Sequence, residues 1–194
     1  MMLYSGLREK KMELAIFDMD GTLFDTCGVN YEAYRKALEE ENIALTEEYY
    51  SSECFGKGYR DFLPGIMKGN ADCIERVHER KKKLYHECIC KARMNRALFD
   101  YIDAVRKNCR IALVTTASAR NVHEILEYFN VEDRFDHIMT QEEMKVLKPD
   151  PWCYVTEMKH FDAAPSQTVI FEDSDVGIEA ALKSGASVMR VMKF

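Results

Sequence analysis

Four apolar residues, Leu14-Ala15-Ile16-Phe17, run directly into Asp18-Met19-Asp20-Gly21-Thr22. A short continuous apolar run that ends in turn residues predicts a strand buried on both faces, the kind a parallel sheet requires. Two carboxylates one residue apart then stand at its C-terminal end, the edge where open α/β sheets bind ligands. Taken alone, the same pentapeptide is also an ordinary acidic turn, since Asp and Gly are common turn residues. The rest of the chain decides between the two.

Short apolar segments recur in alternation with helical patterns. Strands are predicted at Glu13–Phe17, Arg110–Val114, His137–Thr140, Thr168–Phe171 and Ser187–Val191. Helical stretches lie between the last four, near Ala119–Phe129, Trp152–His160 and Val176–Lys183. This spacing fits βαβ crossovers and a parallel α/β sheet. The first gap breaks the rhythm. From Cys27 to about Lys107 the pattern is helical, over Tyr31–Glu41, Thr46–Glu53, Tyr59–Lys68, Ala71–Ala92 and Ala97–Arg106. Ile74, Val77, Leu84, Tyr85, Cys88 and Ile89 mark one apolar face of the long helix. Most of this block is too long for a crossover. It predicts an all-helical domain over 28–94, inserted into a core made of 1–27 and 95–194.

Composition narrows the function classes. The 194 residues are 47% hydrophobic and 31% charged, with a net charge of −6. That balance suits a globular domain and offers no global attraction to nucleic acid or acidic membrane. An anionic substrate must then be held by local donors and a metal. Residues 1–11 hold no apolar run of signal-peptide length, and no segment approaches a membrane span. Seven scattered cysteines, none in Cys-x-x-Cys, predict reduced thiols and a cytoplasmic protein. Cys88-Ile89-Cys90 lacks the His or Cys partners that zinc needs. The basic stretch Lys81-Lys82-Lys83 is broken up by acids and lacks stacking aromatics, so it reads as a solvated helix face.

Three more polar sites follow predicted strands or precede a helix: Thr115-Thr116, Lys148-Pro149-Asp150-Pro151 and Glu172-Asp173-Ser174. Singly, each has a plain alternative as a turn, a helix start or an N-cap. Together with Asp18 and Asp20 they supply the parts of phosphoryl transfer. A carboxylate can attack phosphorus, a second can move a proton, a hydroxyl and an ammonium can hold phosphoryl oxygens, and an acidic pair can hold Mg²⁺.

On these motifs the sequence resembles the haloacid dehalogenase superfamily, in its phosphatase and phosphomutase branch with a helical cap. The resemblance runs from about Met12 to Phe194. Asp18-Met19-Asp20-Gly21-Thr22-Leu23 matches the first motif, with Asp25-Thr26 as a common extension. Thr115 matches the second and Lys148 the third. Glu172-Asp173-Ser174-Asp175-Val176-Gly177-Ile178-Glu179-Ala180-Ala181, continuing to Ser184-Gly185-Ala186, matches the fourth. The resemblance implies a Rossmann-like core and gives each residue a role. Asp18 is the nucleophile and Asp20 the acid–base group. Thr115 and the Thr116 N–H grip phosphate, and Lys148 offsets its charge. Mg²⁺ sits on Asp18, the Asp20 carbonyl and Asp173, with Glu172 as a direct or water-mediated ligand. Substrate choice falls to the cap, where Lys57 and Arg60 are the candidate contacts. The expected function is Mg²⁺-dependent hydrolysis of a small phosphorylated metabolite. A hexose phosphomutase is the nearer rival, weakened by Asn30, which stands where that mutase carries a His soon after its Asp-Thr pair. A non-catalytic binding protein on the same fold is the more distant one.

Overall fold

A computed structural model describes residues 11–68 and 71–194 of the chain. In order, the elements are β1 (Leu14–Phe17), β2 (Phe24–Asp25), α1 (Cys27–Glu39), α2 (Glu47–Tyr49) continuing as a π-helical turn (Tyr50–Cys54), α3 (Tyr59–Met67), α4 (Ile74–Cys88), β3 (Arg93–Met94), α5 (Arg96–Val105), β4 (Arg110–Val114), α6 (Ala119–Phe129), β5 (His137–Met139), α7 (Trp152–His160), β6 (Thr168–Glu172), α8 (Asp175–Lys183) and β7 (Ser187–Arg190). Five strands form a parallel sheet in the order β5-β4-β1-β6-β7. β1 takes the centre because all four of its side chains are fully buried. Alternation along the strands sends Ala15, Phe17, Ile111, Leu113 and Phe171 to one face, in a core shared with Phe99 and Ile102 of α5 and Val122, Ile125 and Leu126 of α6. Leu14, Ile16, Ala112, Val114 and Ile170 go to the other face, against Cys153 and Tyr154 of α7 and Ala180 and Ala181 of α8.

The C-terminal ends of β1, β4 and β6 therefore share one edge, and Asp18, Thr115 and Glu172 stand there. The parallel α/β core with an inserted helical cap is the expected fold. Its elements fall within a few residues of those read from the sequence. Two short strands were not legible. Phe24–Asp25 pairs antiparallel with Arg93–Met94, which ties the start of the insertion to its end. Two-residue strands carry no periodicity to read. The strand expected at His137–Thr140 stops at Met139, because Thr140 turns to cap the next turn, where its N–H donates to Glu143 Oε2 at 2.9 Å.

One expectation is corrected. The Lys81-Lys82-Lys83 stretch is not a solvated face throughout: Lys81 is only 6% exposed, although Lys83 is open to solvent. The reason is helical phase. Val77, Lys81 and Tyr85 fall at four-residue steps, so Lys81 lies in the stripe that α4 buries against α1. No helix among the described residues is long and apolar enough to cross a membrane. The seven cysteines are free thiols.

Candidate active site

The site is built on loops that leave β1, β4 and β6, with Lys148 arriving from the loop before α7. The Lys148 ammonium donates to Asp18 Oδ1 and to Glu172 Oε1, each at 2.7 Å, and to the Val114 carbonyl at 3.3 Å. Its side chain is 5% exposed. Burial alone would disfavour its charge, but the carboxylates of Asp18 and Glu172 outweigh that and raise its pKa well above the lysine range. Asp18 is pulled the other way. Desolvation, reinforced by Glu172 and Asp173, lifts its pKa well above that of an ordinary carboxylate despite the Lys148 contact.

Glu172 has partners on both oxygens. Oε1 also accepts from the buried Tyr154 hydroxyl at 3.1 Å. Oε2 accepts from the Ser174 N–H and hydroxyl, both at 3.0 Å. The Ser174 hydroxyl in turn caps α8 by accepting from the Gly177 N–H at 3.0 Å. A Cβ at Gly177 would overlap the Glu172 carboxylate, so this position requires glycine. Gly21 serves Asp173 in the same way: its φ of +88° suits glycine, and the Asp173 carboxylate fills the space that a Cβ would take. Burial, then Glu172, pushes the Asp173 pKa up to about 6, while the Thr22 hydroxyl donates to its Oδ1 at 3.1 Å.

Asp20 sits beyond this cluster, on the cap side. The Thr26 hydroxyl donates to its Oδ1 in a short hydrogen bond. Burial raises the Asp20 pKa, against the lowering effects of Thr26 and the nearby Lys81. Thr115 is buried, and its hydroxyl oxygen accepts from the Ala117 N–H at 3.1 Å, which shapes the loop into α6. Thr116 follows on the exposed side of that loop.

Asp18, Glu172 and Asp173 each bring a carboxylate oxygen to within 4.8 Å of the others. Three carboxylates against one ammonium leave an excess of negative charge and a set of hard oxygen donors. Such a set fits a divalent cation such as Mg²⁺. Burial first, and then the neighbouring carboxylates, raises the pKa of both Asp18 and Asp173.

The cap contributes differently from what the sequence suggested. Lys57 and Arg60 are exposed, Lys57 lying 3.8 Å from Glu53 and Arg60 3.0 Å from Glu75. The cap cation near Asp20 is Lys81 instead. Its ammonium lies 4.9 Å above the Tyr85 ring and 5.3 Å from the Tyr34 ring. Burial drives its pKa down to about 8 although Asp20 favours the charge. Its place in the apolar stripe, four residues after Val77 and four before Tyr85, was the available signal. Tyr154 carries no signal in the sequence, whereas Thr26 and Ser174 belong to the first and fourth motifs. Asn30 donates from Nδ2 to the Thr26 carbonyl at 3.1 Å, a local bond in the first turn of α1.

A parallel sheet with a helical cap, and an Asp-rich edge crossed by a buried lysine, defines a class of phosphate-handling hydrolases. Residues 15–191 match the model of the haloacid dehalogenase-like hydrolases, and the chain belongs to that family. It is 33% identical over 180 residues to the phosphorylated carbohydrates phosphatase of Thermotoga maritima, covering 90% of this chain and 82% of the relative. It is 26% identical over 184 residues to the β-phosphoglucomutase of Bacillus subtilis, covering 90% and 80%. In fold it is similar to CbbY from Rhodobacter sphaeroides in complex with phosphate, with a TM-score of 0.78 at 22% identity, covering 94% and 88%. The chain is an enzyme of this hydrolase family, acting on phosphorylated substrates.

Proposed function

We propose that the chain is a Mg²⁺-dependent phosphatase that hydrolyses a small phosphorylated metabolite through an aspartyl-phosphate on Asp18. The observation that carries this reading is the Lys148 ammonium bridging Asp18 and Glu172 at 2.7 Å on each side, with Asp20 two residues after Asp18 on the same loop. Asp18 would attack phosphorus, breaking the bond to the leaving oxygen, while Asp20 gives that oxygen its proton. Asp20 would then take a proton from the water that attacks the phosphorus of the aspartyl-phosphate, which restores Asp18. Lys148 offsets the repulsion between carboxylate and phosphate, as a preorganised charge in a dry site does best. The Thr115 hydroxyl and the Thr116 N–H would hold phosphoryl oxygens.

Asp18, Asp173 and the Asp20 carbonyl would hold Mg²⁺, with Glu172 beside them. The ion supplies charge neutralisation and a template for the phosphoryl group. The segment 28–94 acts as the cap that closes over the site, so that Lys81 faces the leaving group and Asp20. Lys57 and Arg60 remain candidate contacts only for a substrate that reaches the cap surface.

The relative from Thermotoga maritima is named a phosphatase of phosphorylated carbohydrates, which supports the hydrolytic branch. Asn30, engaged with the Thr26 carbonyl, supports it too, since it leaves no imidazole at that position to serve a sugar hydroxyl. The test is Mg²⁺-dependent phosphate release from a panel of phosphomonoesters by wild type and by Asp18→Asn. Turnover that survives in Asp18→Asn would refute the assignment.

A further inference from the structure

A carboxylate offers two lone-pair directions on each oxygen, and every one of those on Glu172 is used. Lys148 and the Tyr154 hydroxyl donate to Oε1, and the Ser174 N–H and hydroxyl donate to Oε2. Ser174 is local to Glu172, and Lys148 is the group that the carboxylate serves. Tyr154 comes from elsewhere. It stands on α7, fully buried on the face of the sheet lined by Ile16, Val114 and Ile170. From there it touches both charged partners. Its hydroxyl donates to Glu172 Oε1 at 3.1 Å, and its ring faces the Lys148 ammonium at 5.1 Å. The short stretch from Lys148 to Tyr154 is itself fixed, since the Asp150 carboxylate accepts from the Trp152 N–H at 2.8 Å where α7 begins.

Lys148 spends its N–H donors on Asp18, Glu172 and the Val114 carbonyl. A phosphoryl oxygen that reaches Asp18 has to take one of them. The Val114 bond, at 3.3 Å, is the longest and is the one to yield. Lys148 then follows the phosphoryl group and keeps its place only if Glu172 stays fixed and the ammonium cannot sink away from Asp18. Ser174 pins one oxygen of Glu172, which alone leaves the carboxylate free to tilt about that point. Tyr154 pins the other oxygen, and its ring closes off the side of the ammonium that it faces. We propose that Tyr154 is a positioning residue for phosphoryl transfer: its hydroxyl locks Glu172 as the anchor of Lys148, and its ring holds the ammonium against Asp18. The inference rests on the phosphatase reading and adds to that site a buried residue that acts only through Glu172 and Lys148. A group that does not meet the substrate but places the charge used in the transition state affects kcat and leaves KM nearly unchanged.

The test is steady-state kinetics with Mg²⁺ on p-nitrophenyl phosphate, or on the panel ester that wild type cleaves fastest. The proteins are wild type, Tyr154→Phe, Tyr154→Leu, Glu172→Ala and the pair Tyr154→Phe with Glu172→Ala. Tyr154→Phe keeps the ring and should lower kcat by about 3- to 10-fold, with KM changed by less than about 2-fold. Tyr154→Leu also removes the ring and should lower kcat further, by about 10-fold or more. On the Glu172→Ala background, loss of the hydroxyl should cost less than about 2-fold, because the group it acts through is gone. Thermal unfolding reports whether each variant is folded. Where the Glu172→Ala proteins do not fold or turn over too slowly to follow, calorimetric binding decides. Tyr154→Phe should then weaken orthovanadate, which mimics the transferring phosphoryl group, by about 3- to 10-fold and leave inorganic phosphate within about 2-fold. A variant with lowered Tm but unchanged kcat and unchanged affinities shows a purely structural tyrosine and overturns the inference. A loss carried by KM, or one of equal size with and without Glu172, overturns it as well, and each of these outcomes leaves the phosphatase reading intact. A folded, Mg²⁺-supplied wild type that hydrolyses none of the esters overturns both.

Discussion

Replacing Lys81 by Met separates stability from function. Burial moves the Lys81 pKa from 10.5 down to about 8. At about 1.36 kcal/mol per pH unit, holding the ammonium charged at neutral pH costs the fold about 3 kcal/mol. Met has similar length and an unbranched stem, so it keeps the contact with the rings of Tyr34 and Tyr85. It loses the two cation–π contacts, about 0.5–1 kcal/mol each. The variant should therefore be more stable than wild type by about 1–2 kcal/mol at pH 7, raising Tm by about 3–6 °C in the absence of substrate. The pH dependence gives a second signature. Between pH 8 and 10.5 the unfolded chain still holds the Lys81 proton and the folded chain has released it. The unfolded state then binds more protons, so wild-type stability rises with pH relative to the variant through this window. Activity should move the other way. Loss of the cation whose charge acts on Asp20 should lower kcat/KM by about 10- to 100-fold. Urea denaturation across pH, with phosphatase assays on the same samples, reads both quantities. A variant that is less stable and fully active would show that Lys81 is a structural strut and refute the reasoning.

Five other outcomes are expected. Asp20→Asn keeps the backbone but cannot move a proton, and should lower kcat by about 10²–10⁴-fold with Mg²⁺ affinity retained, as read by calorimetric titration. Asp173→Ala should weaken Mg²⁺ binding more than Glu172→Ala, since Glu172 is already held by Lys148, Tyr154 and Ser174; wild-type Mg²⁺ affinity should also fall as the pH drops through about 6, where Asp173 takes up its proton. Tyr154→Phe removes one donor from Glu172 and keeps the ring under Lys148, 5.1 Å from its ammonium, so a stability loss of about 1 kcal/mol with a several-fold drop in kcat is expected from denaturation and kinetics. β-Glucose 1-phosphate with a trace of β-glucose 1,6-bisphosphate should yield inorganic phosphate; glucose 6-phosphate forming much faster than phosphate would place the chain in the mutase branch.

The core elements were legible because the sheet is buried on both faces. Leu14–Phe17 and Arg110–Val114 are nearly unbroken apolar runs, and each ends where a polar site residue begins. Asp18, Lys148, Glu172 and Asp173, singled out in the sequence, come together at the sheet edge from three segments, the ends of β1 and β6 and the loop before α7. The cap was legible as helices but not as a surface. Lys57 and Arg60 stand out in the sequence as charges in a turn-like stretch, and in the fold they pair at the surface with Glu53 and Glu75. Lys81 was hidden by its neighbours. Within a lysine triplet only the helical phase distinguishes the buried member, and that phase is fixed by packing between α4 and α1, far apart in sequence. Tyr154 was hidden for the same reason. Its position after Lys148 is local, but its contact with Glu172 spans two elements of the fold.

The central claim is a covalent phosphoryl group on Asp18. The most direct measurement is an acid quench during steady-state turnover with Mg²⁺, followed by peptide mass mapping. The account predicts a single added phosphoryl group on the peptide containing Asp18, absent from Asp18→Asn and accumulating in Asp20→Asn if hydrolysis of the intermediate is slowed more than its formation. Turnover with no modified peptide, or a phosphoryl group found on any other residue, would contradict it.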